Sequence, residues 1–268
     1  MKKTLYLECF SGISGDMTVG ALLDLGVEEE VLQKALESLP LSGYTTRIST
    51  VEKSGIRARD FDVILEEENF DHDMEYLYGR DPELAERAHH HGHEHSHRSM
   101  ADIRKILEES ALTDGAKEIA LKIFTILAEA EGKVHGKPPE EVHFHEVGAV
   151  DSIVDIAAAS ICLDVLSPEE VIVPVLFEGY GTVRCQHGVI PVPVPAVTAV
   201  MERARIPLHP MGLPGEFVTP TGAAIAAALC TGRKLPDRYR IRKVGVGAGK
   251  RVYDGPGILR AMWIEEEA

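Results

Sequence analysis

Hydrophobic and polar positions along the first 65 residues follow periods that predict strands and helices in turn. Residues 4–10 (TLYLECF) have the pattern of a short strand, and residues 16–25 (DMTVGALLDL) that of an amphipathic helix. Residues 27–39 continue as a second helix, and two alternating runs joined around residues 52–55 predict a β-hairpin. The SGISG stretch between the first strand and the first helix predicts a tight glycine turn.

The pattern from residue 99 onward is first helical. Ser99 with Asp102 makes an S-x-x-D capping signal for a helix that ends near Ser110. Residues 115–134 repeat apolar positions at helical spacing. Residues 151–166 are apolar nearly all round, which predicts a buried helix with Asp151 as its N-cap.

Later stretches alternate between the two patterns. Strands are predicted at residues 170–177, 239–246 and 258–264. Residues 190–196 (IPVPVPA) form a proline-stiffened approach to a short helix at 196–204, and Thr219 is the predicted N-cap of another helix. Helices and strands alternate without strict βαβ regularity. We therefore predict an α/β or α+β fold, a mixed sheet with flanking helices in two lobes.

The composition changes abruptly between the two predicted lobes. Residues 66–98 contain almost no aliphatic side chains and end in six histidines within nine positions. Such a segment cannot bury enough apolar surface to fold by itself. We predict an N-terminal α/β lobe at 1–65, a His-rich flexible linker or loop at 66–98, and a main α/β lobe at 99–268.

Overall composition excludes several classes of protein. The 268 residues are 44% hydrophobic and 26% charged, as in an ordinary globular protein. No apolar run approaches the roughly 20 residues that cross a bilayer, and the N-terminus lacks a secretory h-region, so we expect a cytoplasmic protein. A net charge of −15 disfavours nucleic acid and anionic membranes as partners. The four cysteines lack CxxC spacing, which argues against a zinc ribbon or a disulfide framework.

The histidine tract HHHGHEHSH at residues 89–97 is one of two candidate metal sites. Imidazole suits nickel, zinc and copper, and flexible His-rich tracts bind such metals readily. A mobile segment does not hold ligands in one geometry, so selective catalysis is not expected there. Metal gathering and a functionally idle linker both remain open. The candidate ligands are His89, His90, His91, His93, His95 and His97.

HFHEVGAVDSIVD, residues 143–155, is the second candidate and lies within predicted ordered structure. On an extended segment His143 and His145 point to one side, while Phe144 points to the other and anchors the segment. Glu146 follows directly. Two histidines with one or two carboxylates suit Ni²⁺, Zn²⁺, Mn²⁺ or Fe²⁺. The spacing favours a metal or catalytic site, with a hydrogen-bonded structural cluster as the alternative.

Asp151 and Asp155 share one face at the N-terminal end of the following helix. The helix dipole favours carboxylates there, which is a structural explanation for both. Asp155, however, enters a strongly apolar helix, where an unpaired carboxylate is costly. It needs a metal, an arginine or a histidine N–H as its partner, so Asp155 is the stronger metal candidate of the two.

Two glycine-rich segments are candidates for anion binding. SGISGD forms a strand–turn–helix whose backbone N–H groups could hold a phosphate, but it lacks the GK[ST] ending of a nucleotide P-loop. Asp16 would oppose a bare phosphate yet could share a cation with it, and a plain tight turn with an Asp cap fits equally well. VGVGAGKR at 244–251 offers Lys250 and Arg251, with an ordinary glycine loop as the alternative. His187 is a further ligand or base, or a structural histidine.

Five segments in this order carry a resemblance to a known family: LECFSGISGDM, VHFHEVGAVDSIVDI, HGVIPVPVPA, TPTGAA and VGVGAGKR. Over essentially the whole chain they resemble the LarC family of nickel-insertion proteins. The resemblance implies a nickel insertase, a lyase of the metal chelatase type. It implies a CTP-dependent cyclometallation of pyridinium-3,5-bisthiocarboxylic acid mononucleotide, with one Ni–C and two Ni–S bonds. The product is the nickel-pincer nucleotide cofactor of lactate racemase, so apo-lactate racemase is the implied recipient.

The resemblance also implies a departure. Family members continue into a C-terminal domain of ferredoxin-like fold to which CTP binding, with Mg²⁺ or Mn²⁺, is attributed. We therefore expect the CTP site in that domain, expect the domain to lie outside these 268 residues, and expect this chain to need it as a partner for the complete reaction. We also expect a homo-oligomer.

The resemblance implies a role for each group of candidate residues. A nickel transit or insertion site is expected at His143, His145, Glu146, Asp151 and Asp155, with Asp16 and His187 as additional ligands. Glu146 or a histidine is the expected base for the ring proton. The phosphate is expected at Ser11, Gly12, Ser14, Gly15, Lys250 and Arg251. Two rival functions remain: a non-catalytic nickel metallochaperone or storage protein, and a metal-dependent phosphoesterase.

Overall fold

The computed structural model describes residues 2–66, 98–144, 148–185, 187–251 and 255–267. The His-rich tract at 89–97 lies outside these residues, so its prediction stays a prediction. Within them, no helix is both long and apolar enough to cross a bilayer.

The N-terminal elements confirm the predicted order. They are β1 (Thr4–Glu8), α1 (Gly15–Asp24), α2 (Glu29–Leu36), β2 (Tyr44–Lys53) and β3 (Ile56–Leu65). The last two form the predicted antiparallel hairpin. Ser54 and Gly55 have positive φ values of 51° and 78° at its turn, a conformation that glycine adopts readily.

The central elements are mainly helical. They are β4 (Arg98–Ser99), α3 (Met100–Glu109), α4 (Asp114–His135), β5 (His143–Phe144) and α5 (Val150–Leu166). Ser99 caps α3 as predicted: its Oγ accepts from Asp102 N at 3.3 Å, and Asp102 Oδ2 accepts from Ser99 N at 2.8 Å. The prediction of Asp151 as the N-cap of α5 is wrong. The N-cap is Ala149, which has no side-chain acceptor, and Asp151 lies in the first turn, where the helix dipole favours a carboxylate.

The C-terminal elements are β6 (Glu170–Ile172), β7 (Leu176–Cys185), β8 (Gly188–Val192), α6 (Pro195–Ala204), β9 (Leu208–Pro214), α7 (Pro220–Leu229), β10 (Tyr239–Ala248) and β11 (Ile258–Glu266). Thr219 caps α7 as predicted, since its Oγ1 accepts from Gly222 N at 3.1 Å. The single strand predicted at 170–177 is instead two strands. They belong to different sheets and are separated by residues 173–175, which include Pro174.

The predicted mixed sheet is confirmed. Six strands lie in the order β2-β3-β10-β11-β1-β6, with parallel pairing between β3 and β10 and between β1 and β6. A second sheet has the order β8-β7-β9, and β4 pairs with β5. The two sheets are connected just after β1, because Cys9 forms an isolated parallel bridge with Leu176, the first residue of β7. The protein is therefore a mixed α/β structure.

Helix α1 lies directly on the large sheet because glycines remove the side chains between them. A Cβ built on Gly245 of β10 would lie 2.5 Å from Leu25 N, and one on Gly247 would overlap Met17 O. On the helix side, a Cβ on Gly20 would lie 2.5 Å from Arg59 O. Gly245 and Gly247 of VGVGAGKR thus belong to a strand and permit close helix packing, while Gly249 follows the end of that strand.

One hydrophobic core includes residues from both predicted lobes. Helix α5 packs against α1, α2 and α4. The largest fully buried side chains are Phe61, Phe124 and Phe144, and Phe61 of the first predicted lobe lies in the same apolar cluster as the other two. This core holds the N-terminal ends of α1 and α5 close together.

Candidate functional site

The loop between β1 and α1 is fixed to the segment that precedes α7. Gly12 N donates to Cys9 O at 3.1 Å, Ile13 N donates to Phe217 O at 2.9 Å, and Thr219 N donates to Ile13 O at 3.1 Å. Gly12 has a φ of +81°, and a Cβ there would overlap the carbonyl group of Phe217. Gly12 is therefore required for the turn, and its own N–H group serves the turn rather than a ligand.

Asp16 lies in the first turn of α1 and is partly buried. Its Oδ1 accepts from Met17 N at 2.8 Å and from the hydroxyl group of Ser14. Burial raises the pKa of Asp16, and the negative charge of Asp60 raises it further, whereas the Ser14 bond and the charge of Lys250 oppose this. The Asp16 side chain thus stabilises the turn by accepting hydrogen bonds from its neighbours Ser14 and Met17. Because its pKa is raised, it also binds a proton more readily than an exposed aspartate.

Asp155 lies against the start of α1. A Cβ built on Gly15 would lie 2.5 Å from Asp155 Oδ2 and 2.8 Å from its Cβ. Burial raises the pKa of Asp155 well above its ordinary value, and the charges of Asp16 and Asp151 raise it further. The structure therefore brings together two predicted metal ligands, Asp16 and Asp155, from helices that are distant in sequence.

Lys250 connects this pair to β3. Its Nζ lies 2.5 Å from Asp60 Oδ1 and 3.3 Å from Asp62 Oδ1. The positive charge of Lys250 lowers the pKa of both Asp16 and Asp155. We call Asp16, Asp60, Asp62, Asp151, Asp155 and Lys250 the acidic cluster. Lys250 thus already has carboxylate partners, and a phosphate would compete with them.

Asp60 and Asp62 were not among the residues singled out in the sequence. Their signal is the RDFDV pattern, in which the two aspartates alternate with the buried Phe61 and so share one face of β3. Asp60 is only 8% exposed. A buried aspartate on a strand requires a partner, but the sequence does not reveal that the partner is Lys250, 190 residues away.

Arg251 has a carboxylate partner of its own. Its Nη1 lies 2.5 Å from Oε2 of the buried Glu216 and donates to Glu216 O at 3.0 Å. Charge-assisted contacts of this kind are stronger than neutral ones. The two cations that the sequence offered for phosphate binding are therefore both paired within the protein.

Glu178 is a second buried carboxylate that the sequence analysis missed. It is 2% exposed, and its Oε1 accepts from Gly179 N at 2.8 Å, Phe217 N at 2.7 Å and Val218 N at 3.3 Å. Its Oε2 is buried and makes no hydrogen bond to any part of the chain that the structure describes. Burial raises the pKa of Glu178 to about 7, and the charge of Glu216 adds to the rise, while the three N–H donors oppose it. Glu178 thus clamps the segment that holds Ile13.

His187 lies beside a histidine that the sequence analysis did not consider. Its ring centroid is 5.1 Å from that of His135, at the end of α4. His135 Nε2 in turn lies 3.2 Å from Glu131 Oε2, one helical turn earlier. The structure therefore places His187 with His135 and Glu131.

The HFHE segment is described in part. Phe144 is fully buried and its ring centroid lies 6.0 Å from that of Phe124, which confirms its predicted role as an anchor. The backbone of His143 pairs with Ser99 in the β4–β5 ladder. The His143 side chain, His145 and Glu146 lie outside the described residues, so their roles stay predictions. Within the residues that the structure does describe, no three His, Cys, Asp or Glu side chains form a group that could hold a metal ion.

Comparison with known proteins places the chain in a family. The family model described as nickel insertion protein matches residues 5–268. The pyridinium-3,5-bisthiocarboxylic acid mononucleotide nickel insertion protein of Alkaliphilus metalliredigens is 50% identical over 99% of this chain and 61% of that relative. The protein of the same name from Akkermansia muciniphila is 44% identical over 99% of this chain and 61% of its own length.

A relative from Wolinella succinogenes, named as a putative nickel insertion protein, is 45% identical over 98% of this chain and 61% of its own length. The chain thus spans about three fifths of the length of the curated relatives it matches. No solved structure matches it. The match over nearly all residues, with the SGISGD and HFHE segments inside it, shows that the chain belongs to the nickel insertion protein family.

Proposed function

We propose that this chain is the nickel-handling part of a protein that inserts Ni²⁺ into pyridinium-3,5-bisthiocarboxylic acid mononucleotide. Family membership supports the reaction, since relatives at 44–50% identity carry that substrate in their names. The observation that carries the proposal is the contact of Asp155 with the start of α1 beside Asp16. It joins two carboxylates that a divalent cation would hold together.

Ni²⁺ is a substrate here and binds where negative charge is concentrated. Because burial and repulsion between neighbouring carboxylates raise the pKa of Asp16 and Asp155, the metal-free pair binds protons more readily than exposed aspartates, and a divalent cation would compete with protons there and offset the repulsion. Carboxylate and imidazole ligands hold nickel less tightly than a set of thiolates would. Such ligands can therefore release nickel to the two sulfurs and one carbon of the product.

The remaining ligands of the proposed site are His143, His145 and Glu146. Phe144, fixed in the core, anchors the segment that carries them. Formation of the Ni–C bond requires that a ring C–H bond break. The electron pair of that bond passes to nickel, and the proton passes to Glu146 or to one of the two imidazoles.

CTP, the recipient enzyme and the substrate phosphate are proposed to bind elsewhere than the nickel ligands. We place CTP, with Mg²⁺ or Mn²⁺, on the C-terminal domain of the family, and apo-lactate racemase as the recipient of the product. The substrate phosphate is proposed to contact Ser11, Ser14 and Gly15, where it would compete with Asp16. Contact with Lys250 or Arg251 requires their partners Asp60 and Glu216 to yield.

The His-rich tract at 89–97 is proposed to gather nickel for this site. It lies at the end of the proposed linker, residues 66–98, between the proposed lobes at 1–65 and 99–268, and both lobes contribute to the acidic cluster through Asp60 and Asp155. Deleting 89–97 separates an insertase from a metallochaperone. An insertase recovers at saturating nickel, whereas a chaperone does not.

The test combines the chain, with and without the separate C-terminal domain, with Ni²⁺, CTP and the bisthiocarboxylate substrate. Activation of apo-lactate racemase is the readout. We expect His143→Ala, His145→Ala, Glu146→Ala and Asp155→Asn each to lower it at least tenfold. The matched control is Glu141→Ala, an exposed carboxylate in the preceding turn. Unchanged activation in all four variants would contradict the proposed site.

A further inference from the structure

Three aromatic rings form a continuous row on the surface beside the segment that joins β1 to α1. The ring centroids of Phe10 and Phe177 are 4.7 Å apart with an interplanar angle of 69°, an edge-to-face contact. Those of Phe177 and His209 are 4.6 Å apart at 45°. We call Phe10, Phe177 and His209 the aromatic row. None of the roles discussed so far uses it.

The outer rings of the row face solvent. Phe10 is 53% exposed and His209 is also exposed, whereas Phe177 between them is partly buried. A single exposed phenylalanine is ordinary on a protein surface. Here, however, the exposed ring continues an ordered stack, and aromatic pairs of this kind contribute beyond the area they bury. The row therefore offers a formed aromatic surface with one open side.

The backbone holds the row in place. Phe177 N donates to Cys9 O at 3.3 Å, which fixes the strand that carries Phe177 next to Phe10. Phe177 is also opposite His209 in the parallel ladder of β7 and β9. The next residue, Glu178, is the clamp that holds the segment at 217–218. A surface fixed in this way binds a flat ring at little cost in ordering.

We propose that the aromatic row, with Phe10 as its outer ring, stacks on the pyridinium ring of the substrate mononucleotide. The inference rests on the proposed function, which supplies a flat cationic ring as the ligand. Aromatic faces attract such cations. Phe10 and Ser14 lie on the segment that joins β1 to α1, Asp16 lies in the first turn of α1, and the Cα atoms of Phe10 and Ser14 are at most about 14 Å apart. Phe10 therefore lies on the segment that leads directly into the turn of α1 that carries Asp16.

The test measures binding alone, in the absence of nickel and CTP. The 268-residue chain is titrated with nicotinic acid mononucleotide, a pyridinium mononucleotide without sulfur, and with uridine monophosphate, whose ring is neutral. Calorimetry gives Kd, and proton NMR reports the upfield shift that a stacked ring produces on the pyridinium protons. We expect the pyridinium nucleotide to bind more tightly and to show this shift.

Two substitutions of Phe10 and one control decide the assignment. Phe10→Leu keeps apolar volume but removes the ring, so we expect Kd to rise at least about fivefold and the upfield shift to disappear. Phe10→Trp should restore both. Tyr180→Leu removes a ring of equal exposure, 54%, on the same strand as Phe177, and should change neither. Because Phe10 and Tyr180 are exposed, all three variants should remain folded, and loss of the contact with Phe177 should lower the midpoint of thermal unfolding of Phe10→Leu by no more than about 5 °C.

Several outcomes would overturn stacking. Equal Kd values for wild type and Phe10→Leu would do so, as would failure of the wild-type chain to bind the pyridinium nucleotide. If Phe10→Leu instead changes the apparent mass in light scattering, the row covers a second copy of the chain. In each of these cases the racemase-activation test stands independently. Conversely, if Phe10→Leu abolishes stacking while the wild-type chain fails to insert nickel in the racemase-activation test, that pair of results would support the role of the aromatic row and contradict the proposed function.

Discussion

Asp155 on α5 leaves room for only a hydrogen atom at Gly15 on α1, because a Cβ at Gly15 would lie 2.5 Å from Asp155 Oδ2. The two helices are joined by 125 residues of chain, yet their N-terminal turns meet at this contact. The absence of a side chain at Gly15 therefore sets how closely Asp155 approaches Asp16. Substitution of Gly15 or Asp155 should therefore alter the candidate site.

Gly15→Ala should displace Asp155 and weaken nickel binding. Overpacking of this kind typically costs about 1–3 kcal/mol in the free energy of unfolding. Chemical denaturation measures this cost, and calorimetric titration with Ni²⁺ measures the accompanying loss of affinity. The control is Gly212→Ala, since a Cβ at Gly212 would meet no atom within 4 Å. It should change the free energy of unfolding by no more than about 0.5 kcal/mol. Equal effects of the two substitutions would contradict close packing at Gly15.

Asp155→Asn should stabilise the metal-free protein and remove much of the stability that the protein gains when it binds Ni²⁺. The folded-state pKa of Asp155 is raised by burial and by its acidic neighbours, so its contribution to stability is present at low pH and is lost as pH rises through that pKa. Asparagine has no charge to lose. At pH 8 we expect a gain larger than the about 0.5 kcal/mol typical of exposed sites.

The measurement for Asp155→Asn is chemical denaturation with and without Ni²⁺. Asp237→Asn is the control, because the side chain of Asp237 is 93% exposed and pairs only with Lys234 three residues earlier among the contacts that the structure describes. If wild type and Asp155→Asn gain equal stability from Ni²⁺, Asp155 is not a ligand.

Lys250→Met should destabilise the protein by leaving Asp60 without its partner. Removing one member of a buried ion pair costs about 3–5 kcal/mol, and because Lys250 and Asp60 retain 21% and 12% side-chain exposure, we expect about 1–3 kcal/mol. Adding Asp60→Asn should recover part of this loss, since the asparagine needs no cation. A double-mutant cycle in denaturant gives the coupling. Additive effects of the two substitutions would show that the ion pair does not contribute.

Local patterns in the sequence predict most of the elements. The Ser99–Asp102 box and the Thr219 cap are formed by residues within three positions of each other, so the sequence contains both partners. The β2–β3 hairpin is also local, since β2 alternates between more and less exposed positions and pairs with the next strand along the chain. The exact start of a helix is harder to predict, because α5 begins after Ala149, which offers no side-chain acceptor, and the stronger capping residue Asp151 lies in the first turn instead.

Partners that are distant along the chain could not be predicted in this way. The split of residues 170–177 into β6 and β7 depends on β1 and β9, which pair with them. Likewise, the pairing of Lys250 with Asp60 and the contact of Asp155 with Gly15 join residues that only the fold brings together. The sequence identified Asp16, Asp155 and Lys250 as candidates, but it could not show that they form one cluster.

Glu178→Gln should flatten the pH dependence of stability. The pKa of Glu178 is raised from 4.5 to about 7 in the folded protein, so between these values the folded state binds the proton that the unfolded chain releases. Stability from this group is therefore complete below about pH 4.5 and is lost as pH rises through 7, by about 3 kcal/mol in all. Glutamine keeps an acceptor for Phe217 N and Val218 N and does not titrate.

The measurement for Glu178→Gln is the free energy of unfolding between pH 5 and pH 8. The variant should lose about 3 kcal/mol less than wild type over this range and should be the more stable protein at pH 8. Glu178→Ala serves as the contrast: it also removes the titration but abolishes the clamp on Phe217 and Val218, so it should be destabilised at both pH values. If Glu178→Gln and wild type show parallel pH profiles, the buried Oε2 is ionised throughout and has a partner beyond the contacts described above.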